Sequence, residues 1–97
     1  MASYDELVVL LSAVHINERK RHRANVVAGH LIVYLLQEKC DKLSETELQE
    51  LLKSSTDRLW DAYQTKRKDK SLASKEAALQ AINAEIEFLT TKFNLKV

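Results

Sequence analysis

The fold of this chain is decided by one polar stretch near its N-terminus, Asn17-Glu18-Arg19-Lys20-Arg21-His22-Arg23. Successive residues of an α-helix are turned by about 100° around the axis, so seven consecutive polar side chains point in every direction and offer none to a core. The stretch interrupts a sequence that otherwise predicts one long apolar helix. It therefore marks a place where the first helix either bends or runs through solvent.

The composition of the remaining chain predicts helices throughout. The 97 residues include no proline and a single glycine, Gly29, which leaves little to build the turns of a β-protein. Strong helix formers such as alanine, leucine, glutamate and lysine dominate the sequence. We expect one all-α domain covering residues 1–97. A domain of this length buries only about 60% of its unfolded surface, which makes association with a second copy attractive.

Capping motifs mark where two helices begin. Ser3 with Glu6, and Ser44 with Glu47, have the spacing of a capping box, in which the serine and the acidic side chain each accept a backbone N–H of the other residue. The connections between apolar segments are short, which favours antiparallel neighbours. The chain is predicted to form three antiparallel helices, at about residues 4–41, 45–69 and 74–94.

The apolar rows of these helices predict the core. In the third helix, which Ser71 or Ser74 would cap, the row advances by steps of three and four residues, the spacing of a coiled-coil seam. This row consists of Leu79, Ile82, Ile86, Leu89 and Phe93.

The predicted helices differ in length, and this difference has a consequence. A helix over residues 4–41 would be about 57 Å long and one over 45–69 about 38 Å, so the apolar N-terminal segment would extend beyond its own hairpin. Either the chain bends within residues 17–23 and forms a four-helix monomer, or a second subunit covers the segment. We favour the homodimer, in which the helical bundle is completed by the second copy. The expected dimer or partner interface comprises Leu7, Leu10, Leu11, Val14 and Trp60.

Two basic clusters are the main functional signal. In an antiparallel hairpin that turns near residue 43, residues 19–23 would lie beside residues 63–67. A nucleic-acid backbone would relieve the repulsion between the cations and release counterions. Few aromatic residues lie near the clusters, so a duplex of RNA or DNA contacted through its backbone fits better than a single strand with stacked bases. The predicted binding residues are Arg19, Lys20, Arg21, Arg23, Lys66, Arg67 and Lys68.

Other interpretations of the same residues stay open. A charged stretch is often only a solvated surface or a hinge. The protein could also be an adaptor or inhibitor that docks a protein partner through its apolar N-terminal helix or the face around Trp60. His15, Glu18 and His22 share one helical face, but the neighbouring arginines oppose a cation, and we predict no metal site.

Several functional classes find no support in the sequence. It contains no glycine-rich phosphate loop, no nucleophile elbow and no paired carboxylates in an evident cleft, so we predict neither an enzyme nor a cofactor. The single cysteine, Cys40, cannot form an intramolecular disulfide. No stretch approaches the roughly 20 apolar residues that span a bilayer, and the N-terminus lacks a cationic leader. We expect no membrane partner and a location in the cytoplasm of a cell or an infected host.

Overall fold

The protein is all-α, as predicted. A computed structural model describes residues 4–12, 21–37, 42–68 and 73–95, and these residues contain helices and no strand. None of the described helices is both long and apolar enough to cross a membrane. The helices are α1 (Tyr4–Ser12), α2 (Arg21–Leu36), α3 (Glu45–Arg67) and α4 (Ser74–Lys92).

The first predicted helix corresponds to two helices that pack against each other. α1 contacts both α2 and α4, which a straight helix over residues 4–41 could not do. Such a helix would be about 57 Å long, whereas the longest dimension of the molecule is 41 Å. The described part of the chain thus has four helices where the sequence predicted three. Of the polar stretch, residues 17–20 lie outside the described residues.

The N-terminal helix completes the core of its own chain. Leu7 and Leu11 of α1 are 5% and 0% exposed, and they belong to the same cluster of buried side chains as Val27 of α2, Leu59 of α3 and Ile82 of α4. The apolar overhang from which the homodimer was predicted is therefore absent from the described residues. The contacts of α1 with α2 and α4 cover this surface within the chain itself.

The start of α3 confirms one predicted capping motif. The Glu47 backbone N–H donates to Ser44 Oγ at 3.1 Å, and the Ser44 N–H donates to Glu47 Oε1 at 3.1 Å. α4 begins differently, because its N-cap is Ala73, which provides no side-chain cap, and Ser74 is already helical. The predicted Ser74 cap is therefore wrong. Ser3 and Ser71 lie outside the described residues.

The buried face of α4 is centred on small residues rather than on the predicted seam. Ile82 and Leu89 are buried as expected, but Leu79, Ile86 and Phe93 are only partly buried. α4 contacts α1, α2 and α3, so its buried face is wider than a two-helix seam and includes residues that permit close approach. The other buried residues of α4 are Ala77, Ala78, Ala81 and Glu85.

Two helices are followed by residues in the left-handed conformation. Asn94, with φ of 52°, follows α4 in a Schellman motif, in which the Leu95 N–H donates to the Thr90 carbonyl at 2.8 Å. Gln37, with φ of 39°, follows α2. Asparagine tolerates this region better than glutamine does, so Gln37 carries more backbone strain.

Candidate nucleic-acid interface

Two contacts determine the register of α2 against α3. Asn25 Nδ2 donates to Thr56 Oγ1 at 3.2 Å, and a Cβ placed on Gly29 would lie 3.9 Å from Leu52. The helices are antiparallel, and the numbers of two facing residues add up to 81. In the predicted hairpin, which turns near residue 43, they would add up to 86. The predicted register is therefore wrong by five residues, or about 7.5 Å along the axis.

The register shift separates the two predicted basic clusters. Arg23 lies level with residue 58 of α3, whereas Lys66 lies eight residues further along that helix, about 12 Å away along the axis. Arg19 and Lys20 lie outside the described residues, and the side chain of Arg21 is likewise not described. The clusters are thus offset along the bundle instead of side by side.

Both clusters nevertheless lie at the same end of the molecule, which we call the basic end. α4 runs antiparallel to α3, since Glu85 contacts Ser55 while Phe93 and Leu51 line one groove further along. The end where α2 and α4 begin and α3 finishes therefore collects cations from three helices, against the three carboxylates Asp57, Asp61 and Glu76. The cations are Arg21, Arg23, Lys66, Arg67, Lys68 and Lys75.

Three of the six cations have no ion-pair partner in the part of the chain that the structure describes. Among the described residues, no carboxylate forms an ion pair with Arg23, Lys66 or Lys68. Glu76, one of the three carboxylates at the basic end, accepts a hydrogen bond from Gln80 Nε2 at 3.1 Å. The far end of the bundle carries the glutamates of the first turns of α3 together with Lys42, Lys53 and Lys92. The near-zero net charge of +1 therefore conceals a local excess of positive charge at the basic end.

The start of α2 adds to the positive potential. Its first turn contains Arg21, His22 and Arg23 and no acidic residue. The N-terminus of a helix carries a partial positive charge, so cations are unfavourable there and an anion is favoured. A surface groove of about 370 Å³ adjoins this turn. It is lined by His22, Asn25, Gln49, Leu52, Lys53 and Thr56.

Arg67 differs from the other cations because it contacts the core. The Tyr63 side chain is fully buried, and its hydroxyl donates to the Ser12 carbonyl at 3.3 Å. Burial raises the pKa of Tyr63, while the charge of Arg67 and a hydrogen bond from it act in the opposite direction. Arg67 therefore lies beside a buried side chain that joins α3 to α1, and its replacement would affect stability as well as any ligand.

The predicted protein-docking residues are largely covered by their own chain. Leu7 and Leu11 are buried, and Leu10 and Trp60 are partly buried against the core. Val14 lies outside the described residues. The exposed large apolar side chains of the described residues are instead Val9, Val33, Tyr34 and Phe88.

A buried polar cluster between α3 and α4 was missed by the sequence analysis. Glu85, only 2% exposed, accepts hydrogen bonds from Ser55 Oγ at 2.6 Å and from Arg58 at 2.8 and 2.9 Å. The Arg58 guanidinium also lies 3.8 Å from the centroid of the Phe88 ring. These bonds satisfy the carboxylate within the fold, so the cluster fixes α3 against α4. Its signal in the sequence was a glutamate between the alanines and isoleucines of one helical face.

Comparisons of this chain with protein-family models, with curated proteins and with solved structures find no match. Its function is therefore inferred from the geometry and charge described above.

Proposed function

We propose that this protein binds the phosphate backbone of a nucleic-acid duplex, RNA or DNA, through its basic end. The observation that supports the proposal is the gathering of six cations from three helix termini against three carboxylates, in a chain of almost zero net charge. Phosphates would relieve this repulsion and release counterions, which is the main source of backbone affinity. Such a protein would act in the cytoplasm of a cell or an infected host, as a regulator rather than an enzyme.

The offset between the clusters supports a duplex rather than a single strand. The separation of about 12 Å between Arg23 and Lys66 along the axis is similar to the width of the major groove of B-DNA, also about 12 Å, which suits contacts with phosphates on both sides of that groove in a DNA duplex. Single-strand binders use exposed aromatic platforms. Of the two exposed aromatic residues among those described, Tyr34 lies more than two turns beyond Arg23 along α2, and the ring of Phe88 is covered on one face by Arg58.

A salt titration with matched lysine variants tests the proposal. Fluorescence anisotropy would measure binding to duplex RNA and duplex DNA between about 50 and 200 mM salt, where backbone contacts give a steep salt dependence. The double variant Lys66→Ala/Lys68→Ala should lower the slope of log K against log salt by about 2. The control Lys42→Ala/Lys92→Ala removes two exposed lysines from the far end and should leave the slope unchanged.

Two results would refute this assignment. One is the absence of binding to either duplex at about 50 mM salt, where non-specific backbone affinity is strong. The other is an equal loss of affinity in both lysine pairs, which would show that the position of the charges does not matter. Arg67 is left out of the test because it also contacts Tyr63.

A protein-binding role is the second candidate, and one observation favours it. The outer face of α2 exposes Val33 and Tyr34 to 56% each, although its inner face already belongs to the core. This surface differs from the predicted docking residues, which face inward. The homodimer also remains a proposal, and α2 is the surface on which we place it.

A further inference from the structure

Arg67 differs from the lysines of the basic end because it has a partner inside the fold. It follows Tyr63 by one turn of α3, and long helical side chains lean back toward the preceding turn, so its guanidinium is directed toward the tyrosine. Both the charge of Arg67 and a hydrogen bond from it act on the Tyr63 hydroxyl. Lys66 and Lys68 have no ion-pair partner among the described residues.

The Tyr63 hydroxyl is itself fixed in direction. The Tyr63 side chain is fully buried, and its hydroxyl donates to the Ser12 carbonyl at 3.3 Å. A phenol has a single proton, so only its oxygen lone pairs remain for Arg67, whose guanidinium has donors and no acceptor. The three groups therefore form one directed chain of hydrogen bonds, from Arg67 to Tyr63 and from Tyr63 to Ser12.

The end of α1 gives the guanidinium a second reason to stay in this place. Ser12 is the last residue of α1, and the C-terminus of a helix carries a partial negative charge that favours a nearby cation. The last turn of α1 contains no basic residue of its own. The cation beside this terminus is instead Arg67 of α3, one hydrogen bond away from the side chain that contacts Ser12.

A guanidinium held in this way still has donors for a ligand. Arginine carries five N–H groups in a planar fork, and the bond to Tyr63 uses only part of them. The Arg67 side chain is only partly buried, so solvent reaches it. A phosphate can accept two parallel N–H bonds from one guanidinium, and the strength of this contact depends on orientation. A lysine ammonium is a flexible point charge without such a requirement.

The order of the side chain before binding affects affinity. Immobilising a flexible side chain at an interface lowers affinity by about two- to tenfold. A side chain that the free protein already orders avoids this loss. Arg67 meets the condition through Tyr63, whereas Lys66 and Lys68 have no ion pair among the described residues to order them.

We propose that Tyr63 is a positioning residue of the nucleic-acid interface, whose hydroxyl orients Arg67 for a two-bond contact with one phosphate of the duplex. This inference rests on the proposed function, since it requires a phosphate at the basic end. It adds that the cations there are unequal: Arg67 makes an oriented contact, while Lys66 and Lys68 contribute charge. Tyr63 is buried and acts only through Arg67.

A double-mutant cycle measured by fluorescence anisotropy tests the positioning role. Tyr63→Phe removes the hydroxyl and keeps the ring, so affinity for the duplex should fall about two- to tenfold at every salt concentration. No charge is lost, so the slope of log K against log salt should stay that of the wild type. In an Arg67→Ala background, whose slope is lower by about 1, Tyr63→Phe should have no further effect. In a Lys66→Ala background its effect should be retained in full.

Two controls separate positioning from stability. Urea unfolding of each variant identifies conditions under which all of them are folded, and affinities are compared there. Tyr34→Phe removes the hydroxyl of an exposed tyrosine on α2 and should leave the affinity unchanged.

Side-chain mobility in the wild type provides a test that needs no variant. In ¹⁵N relaxation measurements on the arginine Nε–H groups, Arg67 should be ordered to a similar degree as Arg58, which Glu85 holds. It should be more ordered than Arg23, which forms no ion pair among the described residues. An Arg67 side chain as mobile as that of Arg23 would overturn the positioning role, even if Tyr63→Phe failed to fold.

The binding results also separate this inference from the proposed function. A wild type that binds no duplex at about 50 mM salt overturns both. The positioning role alone is overturned if the wild type binds but Tyr63→Phe has unchanged affinity, if the effects of Tyr63→Phe and Arg67→Ala are additive, or if Tyr34→Phe loses as much affinity as Tyr63→Phe.

Discussion

Replacing Arg58 by methionine should destabilise this protein more than most other single changes. Arg58 and Glu85 form a half-buried ion pair in which the carboxylate is 2% exposed and accepts two hydrogen bonds from the guanidinium. Methionine keeps much of the apolar length of the side chain but carries no charge. Glu85 would then retain only the Ser55 hydroxyl as a hydrogen-bond donor within this cluster.

The structure indicates the size of the effect. Leaving a buried charge without its partner costs about 3–5 kcal/mol, and the lost contact with Phe88 adds about 0.5–1 kcal/mol. The Arg58 side chain is 32% exposed, so water can reach one side of the pair after the change. We therefore expect a loss of about 3–4 kcal/mol, out of a total of about 5–15 kcal/mol for a domain of this size.

A double-mutant cycle followed by urea unfolding and circular dichroism would measure this loss. Glu85→Met alone should cost only about 1 kcal/mol, because Arg58 can turn toward water. The double variant should be close to the wild type, since methionines replace both charges with apolar groups. The reasoning is refuted if Arg58→Met loses less than about 1 kcal/mol, or if the loss in the double variant equals the sum of the single losses.

Three further predictions concern helix ends and pH. Ser44→Ala removes the capping box of α3 and should lower the free energy of unfolding by about 1 kcal/mol in urea titrations, whereas no change would exclude the cap as a stabilising element. Gln37→Gly should raise the free energy of unfolding by about 0.5–1 kcal/mol, because glycine adopts the φ of 39° without strain. A lower free energy of unfolding in this variant would show that Gln37 is not strained. Burial raises the pKa of Tyr63 above 10.0, so the native state retains this proton more tightly than the unfolded state. The contribution of Tyr63 to the free energy of unfolding should therefore be constant below about pH 10 and fall above it. The free energy should fall less steeply in Tyr63→Phe, and equal slopes in both proteins would refute the assignment.

The sequence by itself determined the helical class and the position of two helices. The second and third predicted segments, 45–69 and 74–94, closely match α3 (Glu45–Arg67) and α4 (Ser74–Lys92). The capping box at Ser44 was also predicted correctly. These features depend on residues that are near in sequence, namely the helix propensity of each segment and the hydrogen bonds of its first turn.

Only the tertiary structure decided how the first apolar segment folds and which residues of the candidate site lie together. The polar stretch allowed a bend or a second subunit, and the choice depended on whether α4 offered α1 a surface to cover. The register of α2 against α3 depends on contacts such as that of Asn25 with Thr56, 31 residues apart. Helical periodicity does not contain this information, because side chains of any register can satisfy the same apolar pattern. The same packing buries Glu85 and leaves Val33 exposed, and neither outcome follows from the order of residues along one helix.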